Sequence, residues 1–398
     1  MKVLLLENIH PDAAELLRAS GHEVQTMKQA LEEDELIARL RGVDLLGIRS
    51  TTFVTDAVLA SAPQLQAIGA FCIGTNQIDL LSATGHGVAV FNAPYSNTRS
   101  VVEVTIGSII ALARRLMEKN AAMHAGVWDK SAKGSHEVRG RSLGIVGYGN
   151  IGSQLSVLAE ALGMTVYFYD TEDKLALGNA RRCGSLADLL ETAEVVSLHV
   201  DGRPGNADLF GETEFAAMRP RSIFMNMSRG FVVDHVALRA HIESGHIAGA
   251  AIDVFPTEPK RQGDPFASEL RGLANVILTP HVGGSTEEAQ QDIGRFVSGK
   301  LRGYSQGGST SLSVNFPAIG AGVIGRGHRL AHVHRNVPGV LAKVNALLAE
   351  YGVNVDAQSL STRADVGYLV TDVDADYTPQ IVDRLEQLPE TIRLRVLS

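Results

Sequence analysis

Short apolar runs alternate with segments of helical periodicity along the N-terminal part of the chain. Apolar residues recur every three or four positions over residues 11–20 and 34–41, which predicts helices. The apolar runs between them are typical of buried strands, which we place at residues 2–7, 23–26, 45–49, 67–71 and 89–92. Strands alternating with helices predict a doubly wound parallel sheet, so residues 1–96 are expected to form one α/β lobe.

The same alternation continues through the middle of the chain. A long helix is predicted over residues 101–121, with Asn97, Thr98 or Ser100 as its cap and Glu103 completing a capping box with Ser100. Further strands are predicted at residues 166–170, 195–199, 222–227, 249–254 and 276–278. Residues 97–284 are therefore expected to form a second α/β unit. A helix over residues 286–301 would return to the first lobe, which becomes discontinuous (residues 1–96 and 285–325).

The C-terminal part has a different pattern. Residues 304–327 are rich in Gly, Ser and Pro, which predicts a linker. Residues 326–398 then give the order strand, helix, strand, strand, helix, strand, which is the ferredoxin-like plan. The strands are placed at residues 330–334, 354–360, 367–373 and 392–397, and the helices at 340–350 and 379–387.

A glycine motif, G-Y-G-N-I-G at residues 147–152, lies between a predicted strand and a helix. Gly147 permits a tight turn, Gly149 lets the backbone approach a pyrophosphate, and Gly152 allows close packing of the helix on the strand. Asp170 ends the next strand, 18 positions after Gly152, where it can accept hydrogen bonds from a ribose. Glycine triplets alone also mark ordinary turns, but both strands, the helix and the acid are in register here. The predicted cofactor-binding residues are Gly147, Tyr148, Gly149, Asn150, Ile151, Gly152 and Asp170.

The acidic residues around Asp170 favour NAD over NADP. Asp170, Glu172 and Asp173 would repel a 2′-phosphate, although Lys174 is close by in the sequence.

Composition excludes several classes of protein. A length of 398 residues predicts two or three domains, and a formal charge of −8 argues against nucleic-acid binding. No apolar run approaches the roughly 20 residues of a membrane span, and no signal-peptide pattern opens the chain. Cys72 and Cys183 lack metal-ligand spacing, so we predict no metal site and reduced thiols in a cytoplasm.

Three ionisable residues follow strand ends in the second unit, where ligands of parallel sheets bind: Arg229, Glu258 and His281. A histidine can exchange the hydroxyl proton that accompanies hydride transfer, and a carboxylate beside it orients the imidazole and raises its pKa. An arginine can grip a substrate carboxylate with two hydrogen bonds. Each residue alone could be structural, but together they indicate a 2-hydroxy-acid dehydrogenase.

Several motifs resemble the D-2-hydroxy-acid dehydrogenase family, and within it the bacterial D-3-phosphoglycerate dehydrogenases with one C-terminal ACT domain. The resemblance covers essentially the whole chain. It is carried by Ile48-Arg-Ser50, Phe71-Cys-Ile-Gly-Thr-Asn-Gln77, Asn97-Thr-Arg-Ser-Val-Val-Glu103, Gly126-Val-Trp128, Asn226-Met-Ser-Arg-Gly230, Asp253-Val-Phe-Pro-Thr-Glu-Pro259 and Thr279-Pro-His-Val-Gly-Gly-Ser285. It implies NAD-dependent oxidation of 3-phospho-D-glycerate to 3-phosphohydroxypyruvate, the first step of L-serine biosynthesis.

The resemblance also implies roles for individual residues. His281 matches the family's acid/base, Glu258 its carboxylate partner and Arg229 its substrate-binding arginine. Arg49, Ser50 and Asn76 match substrate contacts, and Asp253 matches a residue near the nicotinamide carboxamide. Trp128 matches a tryptophan that packs on a neighbouring subunit, although from the sequence alone it could equally be a core residue. Some close relatives have a second arginine at the position of Thr51, so the phosphate contacts are left open.

In the C-terminal segment, His334, Asn336 and Asn354 match positions that bind the inhibitor L-serine. The residues by themselves favour a structural reading, in which Asn336 caps the helix that follows and Pro338 lies in its first turn. The resemblance reverses that preference and implies a homotetramer regulated by serine. Two alternatives stay open: a reductase of another 2-oxo acid (2-oxoglutarate, hydroxypyruvate or glyoxylate) and a catalytically silent NAD-binding sensor of amino acids.

Overall fold

The computed structural model describes residues 1–259, 263–322, 324–325, 327–374 and 379–398. The chain forms two compact units, one of Met1–Ser96 and Gln290–Ser398 and one of Asn97–Ala289. Residue 326, at which the sequence places the start of the third domain, lies outside the described residues.

The N-terminal lobe of the first unit has a five-stranded parallel sheet of order β2-β1-β3-β4-β5. The predicted strands and the two predicted helices are present with ends shifted by one or two residues. Two further helices, α3 and α4, were not predicted because six residues are too few to show a helical period. The elements are β1 (Lys2–Leu5), α1 (Pro11–Ala19), β2 (Glu23–Thr26), α2 (Glu33–Arg39), β3 (Leu45–Ile48), α3 (Asp56–Ser61), β4 (Ala67–Ala70), α4 (Leu80–Gly85) and β5 (Ala89–Phe91).

The second unit contains a seven-stranded parallel sheet of order β12-β11-β10-β9-β6-β7-β8, with the strand order reversing beside β6. Its elements are α5 (Thr98–Ala113), α6 (Leu116–His124), β6 (Ser142–Val146), α7 (Asn150–Ala161), β7 (Thr165–Tyr169), β8 (Arg181–Arg182), α8 (Leu186–Thr192), β9 (Val195–Leu198), α9 (Glu212–Ala217), β10 (Ser222–Asn226), α10 (His235–Glu243), β11 (Ile247–Ile252) and β12 (Val276–Leu278). Ligands of such sheets bind beyond the carboxyl ends of the strands, near the point of reversal.

The single long helix predicted over residues 101–121 is wrong. The structure has two helices, α5 and α6, separated by Arg115 in the left-handed conformation (φ 55°). The guanidinium of Arg115 contacts Glu118 and the carbonyl of Lys133, which holds the break. The predicted capping box is also wrong, because Ser100 hydrogen-bonds Thr286 and Glu103 pairs with Arg99.

Helix α11 (Glu287–Gly307) is longer than predicted and covers part of the segment expected to be a linker. The rest of that segment is packed rather than free. Phe316 is 1% exposed, and Asn315 hydrogen-bonds the backbone of Val88 and Val90 beside β5. The glycine, serine and proline residues of this segment form turns fixed to the sheet. The linker prediction is wrong because flexible linkers have the same composition.

The C-terminal domain has the predicted ferredoxin-like order, with an antiparallel sheet β14-β15-β13-β16. Its elements are β13 (His328–Arg335), α12 (Val340–Glu350), β14 (Val355–Arg363), β15 (Val366–Val373), α13 (Pro379–Glu386) and β16 (Thr391–Leu397). One face of this sheet packs on α12 and α13. The other face, which includes Val333 and Tyr368, shares a continuous apolar core with α11 and the N-terminal sheet.

Among the described residues, no helix has the length and apolar character needed to cross a membrane.

Candidate active site

The glycine motif forms the turn between β6 and α7. Gly147 has φ 92°, and a Cβ there would lie 2.7 Å from the carbonyl oxygen of His199. A Cβ at Gly152 would lie 2.2 Å from the carbonyl oxygen of Gly147, so close packing of the helix requires this glycine. A Cβ at Gly149 would meet nothing within 4 Å, so its own surroundings do not require a glycine. The open space beside Gly149 would let the pyrophosphate of a dinucleotide approach the backbone there.

The N-terminus of α7 is available to that pyrophosphate. Gly149 is the N-cap residue, and no side chain from the described part of the chain caps the helix there. The first backbone N–H groups of a helix attract anions when no side chain accepts from them. Asn150 and Ile151 are the first two residues of α7, whereas the Tyr148 side chain is 3% exposed and stacks on Phe168. Tyr148 therefore contributes its backbone, and its ring belongs to the core.

Asp170 follows β7 and faces the glycine turn. Its carboxylate accepts hydrogen bonds from the backbone N–H groups of Tyr148 (2.7 Å) and Glu172 (2.9 Å). Each oxygen keeps a lone pair for the hydroxyls of a ribose. The nearby Lys174 pairs with Glu172, and Arg182, which the sequence reading did not consider, pairs with Asp173. These pairings leave less positive charge to attract a 2′-phosphate, which agrees with the preference for NAD.

Glu258 and His281 are brought together from loops after β11 and β12. The Nδ1 atom of His281 lies 2.9 Å and 3.1 Å from the two carboxylate oxygens of Glu258. Glu258 is held in turn by the backbone N–H of Phe255 at 3.1 Å. With Nδ1 bound to the carboxylate, Nε2 of the half-exposed imidazole is left to exchange a proton.

The pKa shifts of His281 and Glu258 suit a role of His281 as a general base. The hydrogen bond that His281 donates to Glu258 raises the pKa of His281, and this outweighs the opposing effect of burial. Burial raises the pKa of Glu258, but the hydrogen bond and charge of His281 outweigh it and leave the pKa lowered. The positive charge of Arg229 also lowers both pKa values, which places Arg229 within electrostatic reach of the pair.

Asp253 supports the turn that carries His281. Its carboxylate accepts hydrogen bonds from the hydroxyl of Thr279 and the N–H groups of Val282 (2.9 Å) and Gly283 (2.8 Å). The N–H of His281 donates to the carbonyl of Asp253 at 2.8 Å. This matters because His281 adopts the left-handed conformation (φ 54°), which is uncommon for residues other than glycine. Asp253 is 3% exposed, so its observed contacts are with this turn, while its predicted place near the nicotinamide stays a prediction.

Arg229 follows β10 and is positioned by its neighbours. Asn226 donates from its amide to the carbonyl of Arg229, and Arg229 Nη1 donates to the carbonyl of Ser228 at 2.7 Å. A Cβ at Gly230 would lie 1.9 Å from the carbonyl carbon of Phe255. Gly230 therefore allows the loop after β10 to pack directly on the loop that carries Glu258.

The other predicted substrate residues lie in the first unit, in loops after β3 and β4. Arg49 is partly buried, while Ser50 and Asn76 are exposed. The amide of Gln77, beside Asn76, donates to the carbonyl of Arg49 at 2.5 Å and links the two loops. The described residues contain no cluster of three or more histidine, cysteine or acidic side chains suited to a metal.

Comparisons with known proteins agree with this geometry. A family model described as D-isomer specific 2-hydroxyacid dehydrogenase, NAD binding domain, matches residues 106–283. A model described as AHAS small subunit-like ACT domain matches residues 330–393. The D-3-phosphoglycerate dehydrogenase of Escherichia coli strain K12 is 50% identical over 400 residues, covering 100% of this chain and 97% of that protein. The chain belongs to the D-3-phosphoglycerate dehydrogenase family.

A second D-3-phosphoglycerate dehydrogenase is similar over the same extent, and a solved structure shares the fold. The D-3-phosphoglycerate dehydrogenase of Haemophilus influenzae is 48% identical over 398 residues, covering 100% of this chain and 97% of that protein. The solved structure of a D-2-hydroxyisocaproate dehydrogenase has a TM-score of 0.71 at 24% identity, covering 79% of this chain and 100% of that one. That likeness concerns the fold alone. The family resemblance, the fold class and the NAD-binding domain expected from the sequence are confirmed.

The residues predicted to bind an effector lie in the ACT domain of this family member. His334 is 3% exposed, its Nδ1 hydrogen-bonds the carbonyl of Arg335, and its Nε2 has no partner in the described structure. Asn336 donates to the carbonyl of Ala364, and Asn354 to Asp356. The structural reading, in which Asn336 caps α12 and Pro338 lies in its first turn, is wrong, because the N-cap is Gly339 with φ 90° and the helix begins at Val340.

Trp128, which could have been a core residue, is 72% exposed in the single chain. The core reading of Trp128 is therefore wrong. The exposed residues Met117, Met123 and Val127 lie close to it in the sequence. Grouped apolar exposure of this kind is typical of an interaction surface.

Proposed function

We propose that this chain is an NAD-dependent D-3-phosphoglycerate dehydrogenase. It oxidises 3-phospho-D-glycerate to 3-phosphohydroxypyruvate at the first step of L-serine biosynthesis, in the cytoplasm. The observation that carries the proposal is the Glu258–His281 pair, with Arg229 in electrostatic reach, in a chain 50% identical to a D-3-phosphoglycerate dehydrogenase along its whole length.

His281 accepts the proton of the substrate hydroxyl at Nε2. NAD held at the glycine motif and Asp170 would supply the hydride acceptor. Glu258 keeps the imidazole oriented and stabilises its positive charge after the proton arrives. Arg229 binds the substrate carboxylate, and Arg49, Ser50 and Asn76 are proposed as further substrate contacts. The backbone at Gly149 and the N-terminus of α7 would hold the cofactor phosphates, Gly147 and Gly152 shape that turn, and Asp170 would accept from the ribose hydroxyls.

We also propose the domain division expected from the sequence. Residues 1–96 and 285–325 form the substrate-binding domain, residues 97–284 the NAD-binding domain and residues 326–398 the ACT regulatory domain. The two family models, matched at residues 106–283 and 330–393, support this division.

L-serine is the proposed effector, bound near His334, Asn336 and Asn354. The N-terminus of α12 supports this, because in the described structure no side chain caps it and a helix N-terminus suits a carboxylate. A homotetramer would provide symmetric copies of the site. Trp128 and the largely exposed strand β14 offer two separate surfaces for its contacts.

The test is NADH formation from 3-phospho-D-glycerate and NAD, with and without L-serine. Turnover inhibited by serine is the expected result. The reverse reaction with 2-oxoglutarate, hydroxypyruvate and glyoxylate provides the comparison of substrates. A protein that reduces one of these efficiently but does not turn over 3-phosphoglycerate would contradict the proposal.

A further inference from the structure

A buried carboxylate outside the predicted substrate and cofactor contacts organises the loop that carries Arg49 and Ser50. Glu7 follows β1 at its carboxyl end and is only 9% exposed. Glu7 and Asn8 both adopt the left-handed conformation, with φ 59° and 52°. Two consecutive residues other than glycine rarely do so, and such backbone is retained where the surrounding structure fixes it.

The Glu7 carboxylate accepts three hydrogen bonds from backbone N–H groups of one loop. Oε1 accepts from Arg49 at 3.0 Å and from Thr52 at 2.9 Å, and Oε2 accepts from Thr51 at 3.0 Å. Converging N–H groups form a nest that favours an anion, and bonds to a charged acceptor are stronger than neutral ones. β1 and β3 are parallel neighbours, so their following loops leave the same edge of the sheet.

The carbonyl group of Arg49, in the next peptide unit, is also held. The Gln77 amide donates to the carbonyl of Arg49, and the Cys72 thiol lies 3.6 Å from that oxygen. Thr52, at the far end of the loop, is fully buried. The peptide groups of Arg49 are thus fixed at both N–H and C=O, while the side chain of Ser50 remains exposed to a ligand.

We propose that Glu7 is a positioning residue for substrate binding. It sets the conformation of residues 49–52 before the substrate arrives, so that Arg49 and Ser50 are preorganised for an anionic substrate. Its own negative charge is directed into the nest of N–H groups rather than towards the ligand. This inference rests on the proposed function, because it takes Arg49 and Ser50 as substrate contacts.

The Glu7→Gln variant tests this role. Glutamine keeps the size of the side chain, but its NH₂ group must face backbone N–H groups that are themselves donors, so the loop loses its fixed conformation. We expect KM for 3-phosphoglycerate to rise roughly 10- to 100-fold, as misplaced binding groups do. We expect kcat at saturating substrate and KM for NAD to stay within about twofold of wild type, since His281, Glu258 and the glycine motif are unchanged.

Asp12→Asn is the matched control. Asp12 is a carboxylate of the same lobe, bound by the Arg295 side chain at 2.8 Å and by Gln291 at 3.0 Å, with no contact to residues 49–52. It should lower the melting temperature without changing KM for 3-phosphoglycerate. Glu7→Asp, which keeps the charge but is shorter, should give a smaller rise in KM and provides the measurement if Glu7→Gln does not fold.

The outcomes separate this inference from the proposed function. Wild-type enzyme that does not oxidise 3-phosphoglycerate contradicts the function itself. Active wild-type enzyme together with variants at Glu7 that melt earlier but keep the wild-type KM would show a purely structural role and overturn the inference. A fall in kcat with unchanged KM would overturn it as well.

Discussion

At the scale of single residues, the proposed oxidation depends on His281 as the proton acceptor. Its partner Glu258 sets the affinity of His281 for the proton. The His281 imidazole is tied at Nδ1 to both oxygens of Glu258 and is presented by a turn that Asp253 holds. The ring is therefore fixed in orientation and tautomer without contact from the substrate. Two consequences can be measured, one for the rate and one for its dependence on pH.

Replacement of His281 by alanine should remove the acceptor and leave the cofactor site intact. We expect turnover to fall by roughly 10²–10⁴-fold, the usual cost of losing a general base. Steady-state rates and NADH binding followed by fluorescence provide the measurement. The control is His246→Ala, because the His246 imidazole hydrogen-bonds the carbonyl of Phe215 at 2.9 Å and lies near His241, with no hydrogen bond or ring contact to Glu258 or His281 in the described structure. Near wild-type turnover in the His281 variant would remove this residue from the mechanism.

The dependence of the rate on pH should reflect the Glu258–His281 pair. Glu258 raises the pKa of His281, and oxidation needs the neutral imidazole, so the wild-type rate should rise with pH through that raised pKa. Glu258→Gln removes the negative charge, which lowers the pKa of His281 and moves the rise to lower pH. We also expect a roughly 10²-fold lower kcat, from lost orientation of the ring. An unshifted profile of kcat/KM in this variant would show that Glu258 does not act on His281.

At the scale of elements, the arrangement of the parallel strands explains which residues of the site could be predicted from the sequence. The carboxyl ends of neighbouring strands meet at one edge of the sheet, so Arg229, Glu258 and His281 could be grouped from their positions alone. The hydrogen-bond roles of Glu7 and Asp253 could not be predicted, because most of their partners are backbone N–H groups brought near by folding. A useful signal for Glu7 is present all the same: an acidic residue directly after a buried first strand.

The helices also include features that the sequence predicts and features that it does not. The sequence predicted α12 correctly over residues 340–350, because its apolar period is regular and Gly and Pro precede it. It missed the break between α5 and α6, because Arg115 is an ordinary helix former and nothing local predicts its left-handed backbone. Contacts with Glu118 and Lys133 stabilise that conformation, and these arise only in the folded chain.

The turn between β6 and α7 yields a prediction at this scale, since Asp170 ties it to the end of β7. Asp170→Ala removes the predicted ribose acceptor, a charge facing the 2′-position and the bond to the Tyr148 N–H. The preference for NAD over NADP should fall by roughly 10-fold or more, the value of a hydrogen bond to a charged group. Asp173→Ala is the comparison variant, because it removes a charge and its ion pair with Arg182 but leaves the turn intact, and so separates the effect of local charge from that of the ribose acceptor. The ratio of kcat/KM for the two cofactors measures the effect, and a wild-type preference for NADP would contradict the assignment.

At the scale of the whole molecule, regulation requires that serine favour one arrangement of the protein over another. We expect wild-type enzyme to be inhibited by L-serine, and Asn336→Ala or Asn354→Ala to lose most of that inhibition with catalysis preserved. Asn345→Ala is the control, since Asn345 lies on α12 and hydrogen-bonds Gln358 at 2.9 Å. Calorimetry that detects no binding of serine to the wild-type protein would refute the effector site and leave the dehydrogenase assignment standing.

The apolar core shared by the N-terminal sheet, α11 and the C-terminal sheet has a consequence for how such a protein can be divided. Tyr304 and Phe316 are sealed from water by residues of β13, β15 and β16. Removing the C-terminal domain would therefore expose part of the apolar core, because this domain packs on the lobe and is not joined to it by a linker alone. The C-terminal domain therefore cannot be moved to another enzyme as an independent unit unless the receiving lobe carries a matching apolar face.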